Sequence, residues 1–244
     1  MTAAAEPVCL NLNIPSRGAA VPFFHYPASR DHILGIFEGR TYPILPDIGP
    51  VSTIVDIGAN VGAASVMLAE HYPQAVIHAF EPGPATAALL ARNAAPFPHI
   101  RVHAHGLGRE DGQLRLFRSR WDPMSASVLQ SAENGEAFDV VEIRRAVTAL
   151  AACGVATIDL LKIDTEGCEV PILTDLADLA AAAKVIYLEF HSDRDRLRID
   201  QRLSATHVLA FAAVRHPHRG DVCYLHRDTP FARRHAPLAI EPAD

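Results

Sequence analysis

The chain has 244 residues, 49% of them apolar and 20% charged, with a formal net charge of -6. That length suits one α/β domain with an extension better than two full domains, and the composition excludes a disordered chain. The acidic balance excludes a duplex-binding surface, which needs a concentrated basic face, so no nucleic acid is expected among the partners.

Residues 1–50 carry prolines at 7, 15, 22, 27, 43, 46 and 50, which excludes long helices there except for a short piece around RDHILGIFEG. This stretch reads as an N-terminal arm over a main domain at 51–230, with 231–244 as a C-terminal tail. The N-terminus lacks a basic head followed by an apolar run, and no window approaches the roughly 18 apolar residues of a membrane span. Cys9, Cys153, Cys168 and Cys223 show no CxxC or repeated spacing. Neither a zinc site nor a disulfide framework is therefore indicated, and a cytoplasmic location is expected.

From Thr53 onward, short apolar runs alternate with helical segments, the pattern of parallel strands joined by crossover helices. The expected elements are strand 53–58, helix 61–71, strand 75–80, helix 84–94 and strand 100–105. GREDGQLRLFRSR then breaks the alternation as a β-hairpin arm with Leu114 and Leu116 on one face, followed by a polar loop, DPMSASVLQSAENGEA. FDVVEIRRAV reads as a strand and TALAACG as a short helix ended by glycine. IDLLKID is a strand buried on both faces, 167–182 a helix, KVIYLEF the next strand, and HVLAFAAVRH with DVCYLHR two closing strands of antiparallel character.

In VDIGANVG, Gly58 and Gly62 let backbone approach a ligand, and the following helix aims its free N–H groups at whatever sits there. Glu81 closes the next strand 25 residues after Asp56, where an acid accepts hydrogen bonds from a ribose diol. The dinucleotide fingerprint G-x-G-x-x-G is absent, since Asn60 stands where its middle glycine would be. A ligand with a ribose and no phosphate, such as S-adenosylmethionine, fits better, with Asp56 and the turn backbone engaging its amino-acid end.

VDIGANVGAAS, then AFEPGP, then LLKIDTEGCE resembles the FkbM family of S-adenosylmethionine-dependent methyltransferases, in the same order and at similar spacing. The resemblance runs from about GIFEGRTY through YLEFH. It implies a class I methyltransferase (Rossmann-like) fold: a doubly wound, seven-stranded, mostly parallel sheet with helices on both faces and an antiparallel last strand, here with the N-terminal arm and the hairpin insertion. It also implies methylation of hydroxyl oxygens on sugars, glycolipids or polyketide-derived products. By the same resemblance Asp56, Gly58, Asn60 and Gly62 bound the methionine and ribose portion, Glu81 holds the ribose hydroxyls, and Leu107 lines the adenine. Tyr42 stands where the family commonly has an aromatic that closes over the site, and Gly106 where members often carry alanine.

Methyl transfer to an alcohol needs an in-line acceptor and a group that removes its proton. KIDTEG offers Asp164 and Glu166 at a strand's ligand-binding end, and YLEFH offers Glu189 and His191 beside it. The preferred base is His191, oriented by Asp164 or Glu189. Asp164 and Glu166 have the alternative role of capping the next helix, and Lys162 that of neutralising a buried carboxylate. Asp164, Glu189 and His191 together also suit a divalent cation such as magnesium. His105 ends a strand facing the cofactor, and Trp121 is placed to stack on a sugar or to pack a lid. The reading is thus an O-methyltransferase for a small hydroxylated acceptor. Its alternatives are an NAD-linked or nucleotide-sugar oxidoreductase, or a non-catalytic cofactor-binding subunit, and a homo-oligomer formed through the arm stays open.

Overall fold

The computed structural model describes residues 6–14, 18–119 and 134–235. Its first elements are a hairpin, β1 (Val8–Ile14) and β2 (Ala19–His25), then helix α1 (Arg30–Phe37). The helix falls where RDHILGIFEG placed it. The prolines excluded long helices there and left the hairpin unread; Pro22 sits in β2 because each strand of a two-stranded ribbon is an edge, which tolerates proline where its N–H would face solvent.

The central sheet holds β3 (Thr53–Ile57), β4 (Val76–Phe80), β5 (Ile100–His103), β9 (Leu160–Ile163), β10 (Val185–Phe190), β11 (His207–His216) and β12 (Arg219–His226). Their order across the sheet is β11-β12-β10-β9-β3-β4-β5, with β12 antiparallel to both neighbours and the central strands parallel. This is the seven-stranded sheet with an antiparallel last strand that the resemblance implied. Alternate residues of the central strands feed two apolar clusters, one per face: Ile54, Leu160 and Val185 on one side, Val55, Leu161 and Ile186 on the other.

Helices α2 (Ala63–His71) and α3 (Pro84–Ala94) pack into the first cluster together with the arm, through Phe23, Tyr26, Ile33, Ile36, Tyr42 and Ile48. Asn93 fastens β2 to α3: its side chain accepts from Phe24 N at 2.8 Å and donates to Phe24 O and Val61 O, both at 2.8 Å. Helices α4 (Ala146–Ala152), α5 (Glu169–Asp175), α6 (Ala177–Ala182) and α7 (Asp193–Leu203) belong to the other face, and α8 (Pro230–Arg234) closes the described chain.

The insertion is a separate sheet of β6 (Gly106–Gly108), β7 (Gly112–Ser119) and β8 (Asn134–Arg145), in the order β6-β8-β7. Most of the expected polar loop, Trp121 included, lies outside the described residues. Several boundaries differ from expectation. The strand expected to reach 105 ends at His103, and the helix expected over 167–182 is two helices that break at Leu176. Helix α7 escaped notice because only Leu197, Ile199 and Leu203 are apolar in it, with Ile199 and Leu203 alone buried. It starts where Ser192 accepts from Asp195 N at 3.0 Å.

Candidate active site

The glycine turn is built around a clash that only glycine avoids. Gly58 has φ +77°, and a Cβ there would sit 1.8 Å from Asp164 O, so β3 and the KIDTEG segment touch backbone to backbone. Gly58 N and Ala59 N both donate to Phe80 O, at 3.0 and 2.9 Å, which locks the turn onto β4. Asn60 follows at φ +54°, a left-handed conformation that asparagine tolerates. Gly62, at φ +90°, faces away from the ligand side: a Cβ there would meet Leu90 Cδ1 at 2.6 Å, so this glycine seats α2 against α3.

Asp56 does not reach the ligand side either, which corrects the expectation that it engages the cofactor. Its side chain is wholly buried, 2.9 Å from Lys162 Nζ and 2.6 Å from Ser65 Oγ. The two charged residues are cross-strand partners in the β3–β9 register. Lys162 Nζ also donates to Gly58 O at 2.9 Å, so the pair props the turn from beneath. Burial pulls the Lys162 pKa down, but Asp56 and Asp164 outweigh it and raise it above its ordinary value. Lys162→Met strands the Asp56 carboxylate without its cation, and we expect a loss of about 3–5 kcal/mol in urea unfolding. A loss below about 1 kcal/mol would show the pair to be dispensable.

A cleft of about 310 Å³ runs along the ends of the parallel strands. At one end stands Glu81, buried, with Oε1 accepting from Gly83 N and Thr86 Oγ1 at 2.8 Å each and Oε2 from Asn60 N at 2.9 Å. Burial raises its pKa against the pull of those donors. An apolar wall of Pro82, Leu107, Leu116, Val141 and Ile143 adjoins it, so the insertion supplies all of the wall but Pro82. A Cβ at Gly106 would meet Ile143 Cδ1 at 2.5 Å, which ties this glycine to the bulky residue opposite.

The other end is lined by Asp164, Glu166, Glu189, Arg215 and Arg219, with His32 from the arm. Asp164 Oδ2 accepts from Tyr42 Oη at 2.7 Å. Burial, then the neighbouring Glu189 charge, pushes its carboxyl up to about 6, against the pull of Lys162 and Tyr42. Arg219 spans two acids: Nε donates to Glu189 Oε1 at 2.9 Å, and Nη2 to Glu166 at 2.9 and 3.1 Å. Arg215 Nε donates to Asp221 Oδ2 at 2.8 Å, and its Nη2 lies 3.5 Å from Glu189. His191 sits behind these acids, with Nε2 3.0 Å from Glu166 and 3.3 Å from Glu189 and Nδ1 3.6 Å from Glu169. Burial lowers its pKa, but the hydrogen bonds it donates to Glu166, Glu169 and Glu189 outweigh that and push it to about 12.

The expected site residues therefore divide. Gly58, Asn60, Glu81, Leu107, Asp164, Glu166 and Glu189 line one cleft. Asp56 and Gly62 support it from behind, and His105 packs edge-on to Phe80 with a ring-centroid distance of 5.5 Å, away from the lining. Tyr42 is 2% exposed and lies under Asp164, so it holds that carboxylate and does not close over the site. The three surrounding carboxylates favour the protonated form of His191, in which neither ring nitrogen has a lone pair, so its surroundings disfavour it as the base. Nor do Asp164 and Glu166 cap α5; Glu169 does the local bonding, accepting from Thr165 N at 2.9 Å and Gly167 N at 3.1 Å. Arg215, Arg219 and His32 were missed. Arg215 and Arg219 flank the turn between β11 and β12, where strand pairing sets Glu189 opposite Asp221 and Phe190 opposite Gly220.

A seven-stranded sheet in this order, with a glycine turn after its first parallel strand and an acid after the second, is the class I methyltransferase fold. The Methyltransferase FkbM domain model matches residues 56–216, and the chain belongs to that family. Among curated relatives it is 31% identical to "Methyltransferase 1" of Beauveria bassiana over 59% of this chain and 65% of that protein. It is 27% identical to "2-O-methyltransferase NoeI" of Sinorhizobium fredii over 60% of this chain and 65% of that protein. The matches thus span just under two thirds of each relative's length. In fold alone it is similar to the Methanococcus jannaschii fibrillarin pre-rRNA processing protein, with TM-score 0.50 and 12% identity over 93% of this chain and 86% of that one. No helix among the described residues is long and apolar enough to cross a membrane.

Proposed function

We propose that the chain is an S-adenosylmethionine-dependent O-methyltransferase for a hydroxyl of a small acceptor such as a sugar, a glycoside or a polyketide-like product. One observation carries the reading: a single cleft joins a buried ribose-type acid, Glu81, to a carboxylate, Asp164, whose pKa of about 6 suits a general base at neutral pH. The residues fit the cofactor. Gly58 and Asn60 line the cleft, Glu81 keeps a lone pair on Oε2 beyond its three protein donors, and Leu107 with Leu116 and Ile143 makes an apolar slot for a base. Bound there, S-adenosylmethionine supplies an electrophilic methyl group.

The chain's own part is to receive the acceptor between Asp164 and the arginines and to take its proton. Asp164 removes that proton, Tyr42 fixes the carboxylate's orientation, and Glu166 and Glu189 are held by Arg219 and the His191 imidazolium. Of the residues named for a metal site, Glu189 is thus already paired with Arg219 and His191, and the donor group that does converge is Glu166, Glu189 and His191, which Arg219 also bridges. This set does not fit a hard divalent cation without displacing Arg219. Residues 51–230 form the catalytic unit in this reading, and the arm completes it through Tyr42 and His32. The printed name of the Sinorhizobium relative favours oxygen as the acceptor atom. The absence of a glycine at Asn60 disfavours an oxidoreductase that must seat a pyrophosphate.

Calorimetric titration with S-adenosylhomocysteine, followed by transfer of labelled methyl from S-adenosylmethionine to a panel of hydroxylated acceptors, tests the reading. Failure to bind the nucleoside overturns it, and methylation of amines alone overturns the oxygen assignment. Tyr42→Phe removes the 2.7 Å bond to Asp164. We expect kcat to fall roughly tenfold with the affinity for S-adenosylhomocysteine unchanged, the mark of a misaimed base rather than a lost binding contact.

A further inference from the structure

At the β5 edge of the central sheet, three side chains from distant segments converge. His78 projects from β4, His103 ends β5, and Cys153 follows the last turn of α4. His78 Nδ1 lies 3.2 Å from His103 Nε2, and Cys153 Sγ lies 3.9 Å from both ring nitrogens of His103. One donor atom from each residue falls within 4.8 Å of the other two. None of the three lines the cleft, so methyl transfer leaves them unused. We propose that His78, His103 and Cys153 form a second, separate site that binds a transition-metal ion of the zinc class.

The spacing fits such an ion. Two nitrogen ligands on a tetrahedral zinc stand about 3.3 Å apart, and a nitrogen and a sulfur about 3.6 Å. The observed 3.2 Å already matches, while the 3.9 Å to sulfur requires a shift of a few tenths of an ångström and a turn of the rings. Two imidazoles and a thiolate form a borderline-soft set, which selects zinc, cobalt or copper over magnesium.

Protonation states agree. Burial, aided by His78 and His105, drives the His103 pKa down to about 4, and burial with Arg101 lowers that of His78, so both rings are neutral. One N–H now lies between His78 Nδ1 and His103 Nε2. On binding, each ring carries its proton on its other nitrogen and the imidazoles release none. The Cys153 thiol gives up its proton to solvent, so binding tightens as pH rises. Three ligands leave a fourth position for water or for His105, whose buried Nε2 has no hydrogen-bond partner among the described residues and whose ring centroid is 5.9 Å from that of His103. An ion here ties β4, β5 and α4 together, next to the Phe80 ring that stacks on His103 at 4.4 Å.

The test uses the full chain, stripped of metal, with Co²⁺ and Zn²⁺ alone as probes. Co²⁺ is expected to bind in one equivalent with a thiolate-to-cobalt charge-transfer band and tetrahedral ligand-field bands, all lost in Cys153→Ser. Zn²⁺ at about 100 times its Kd is expected to raise the melting temperature by roughly 5–10 °C. His78→Gln should weaken zinc binding roughly tenfold or more, whereas Glu166→Gln, at the other acid cluster, leaves it unchanged. Should Cys153→Ser fail to fold, the unaltered chain answers the same question. Zn²⁺ should slow N-ethylmaleimide alkylation of Cys153 roughly tenfold or more, mapped by mass spectrometry, while the exposed Cys9 reacts as before. Unprotected Cys153, or a cobalt band that survives in Cys153→Ser, overturns the site.

Discussion

Asp164→Asn is expected to lower kcat by roughly 10²–10⁴-fold, the usual worth of a general base, while S-adenosylhomocysteine binds as before. The amide keeps an acceptor oxygen for Tyr42 Oη, so the carboxylate's seat survives and only its basicity is lost. In the unaltered chain the rate should fall on the acid side with an apparent pKa near 6, the value to which burial and Glu189 push this group. That limb should vanish from the residual activity of the variant. Stability moves the other way. A carboxyl whose folded pKa, about 6, exceeds its ordinary 3.8 binds its proton more tightly in the fold, so ionising it costs stability as pH rises through that window. The cost is fully present at neutral pH, and the amide removes it. A more stable but inactive Asp164→Asn at pH 7, with no such gain at pH 3, identifies a group held in an unfavourable state for the sake of its chemistry. Retention of full activity would transfer the base to another residue.

The same residue shows what local sequence can and cannot convey. Most strand positions, the glycine turn and the position of Glu81 were legible because local backbone geometry marks them: Gly58 takes a φ of +77° that favours glycine, and the acid follows β4 directly. Charge states were not legible. His191 follows a strand as any accessible histidine would, and only the convergence of Glu166, Glu169 and Glu189 favours its charged form. Asp56 misled for a related reason. Its place beside the glycines looks like a ligand contact, but the β3–β9 register pairs it with Lys162 inside the sheet. Arg215 and Arg219 reach the cleft through the antiparallel pairing of β12 with β10, a contact between segments that no window of sequence contains. The same holds for His78, His103 and Cys153, whose separations of 25 and 50 residues match no ligand spacing along the chain.

Glu81→Ala should weaken S-adenosylhomocysteine binding roughly 30–150-fold, since the protein donors leave one lone pair, on Oε2, and a hydrogen bond to a buried carboxylate is worth about 2–3 kcal/mol. The difficulty is that the carboxylate also accepts from Asn60 N, Gly83 N and Thr86 Oγ1, so its loss loosens the turn as well as the ligand contact. A change in affinity alone cannot separate the two. The 2′-deoxy analogue of S-adenosylhomocysteine does, because it lacks a hydroxyl the carboxylate is proposed to hold. The unaltered chain should bind it roughly tenfold or more weakly than the parent nucleoside, and Glu81→Ala should bind the two alike. A variant that still discriminates against the deoxy analogue by the original factor assigns Glu81 to the turn and hands the ribose to another group. Equal affinities make the carboxylate the ribose acceptor, since a loosened turn would weaken both ligands in the same proportion.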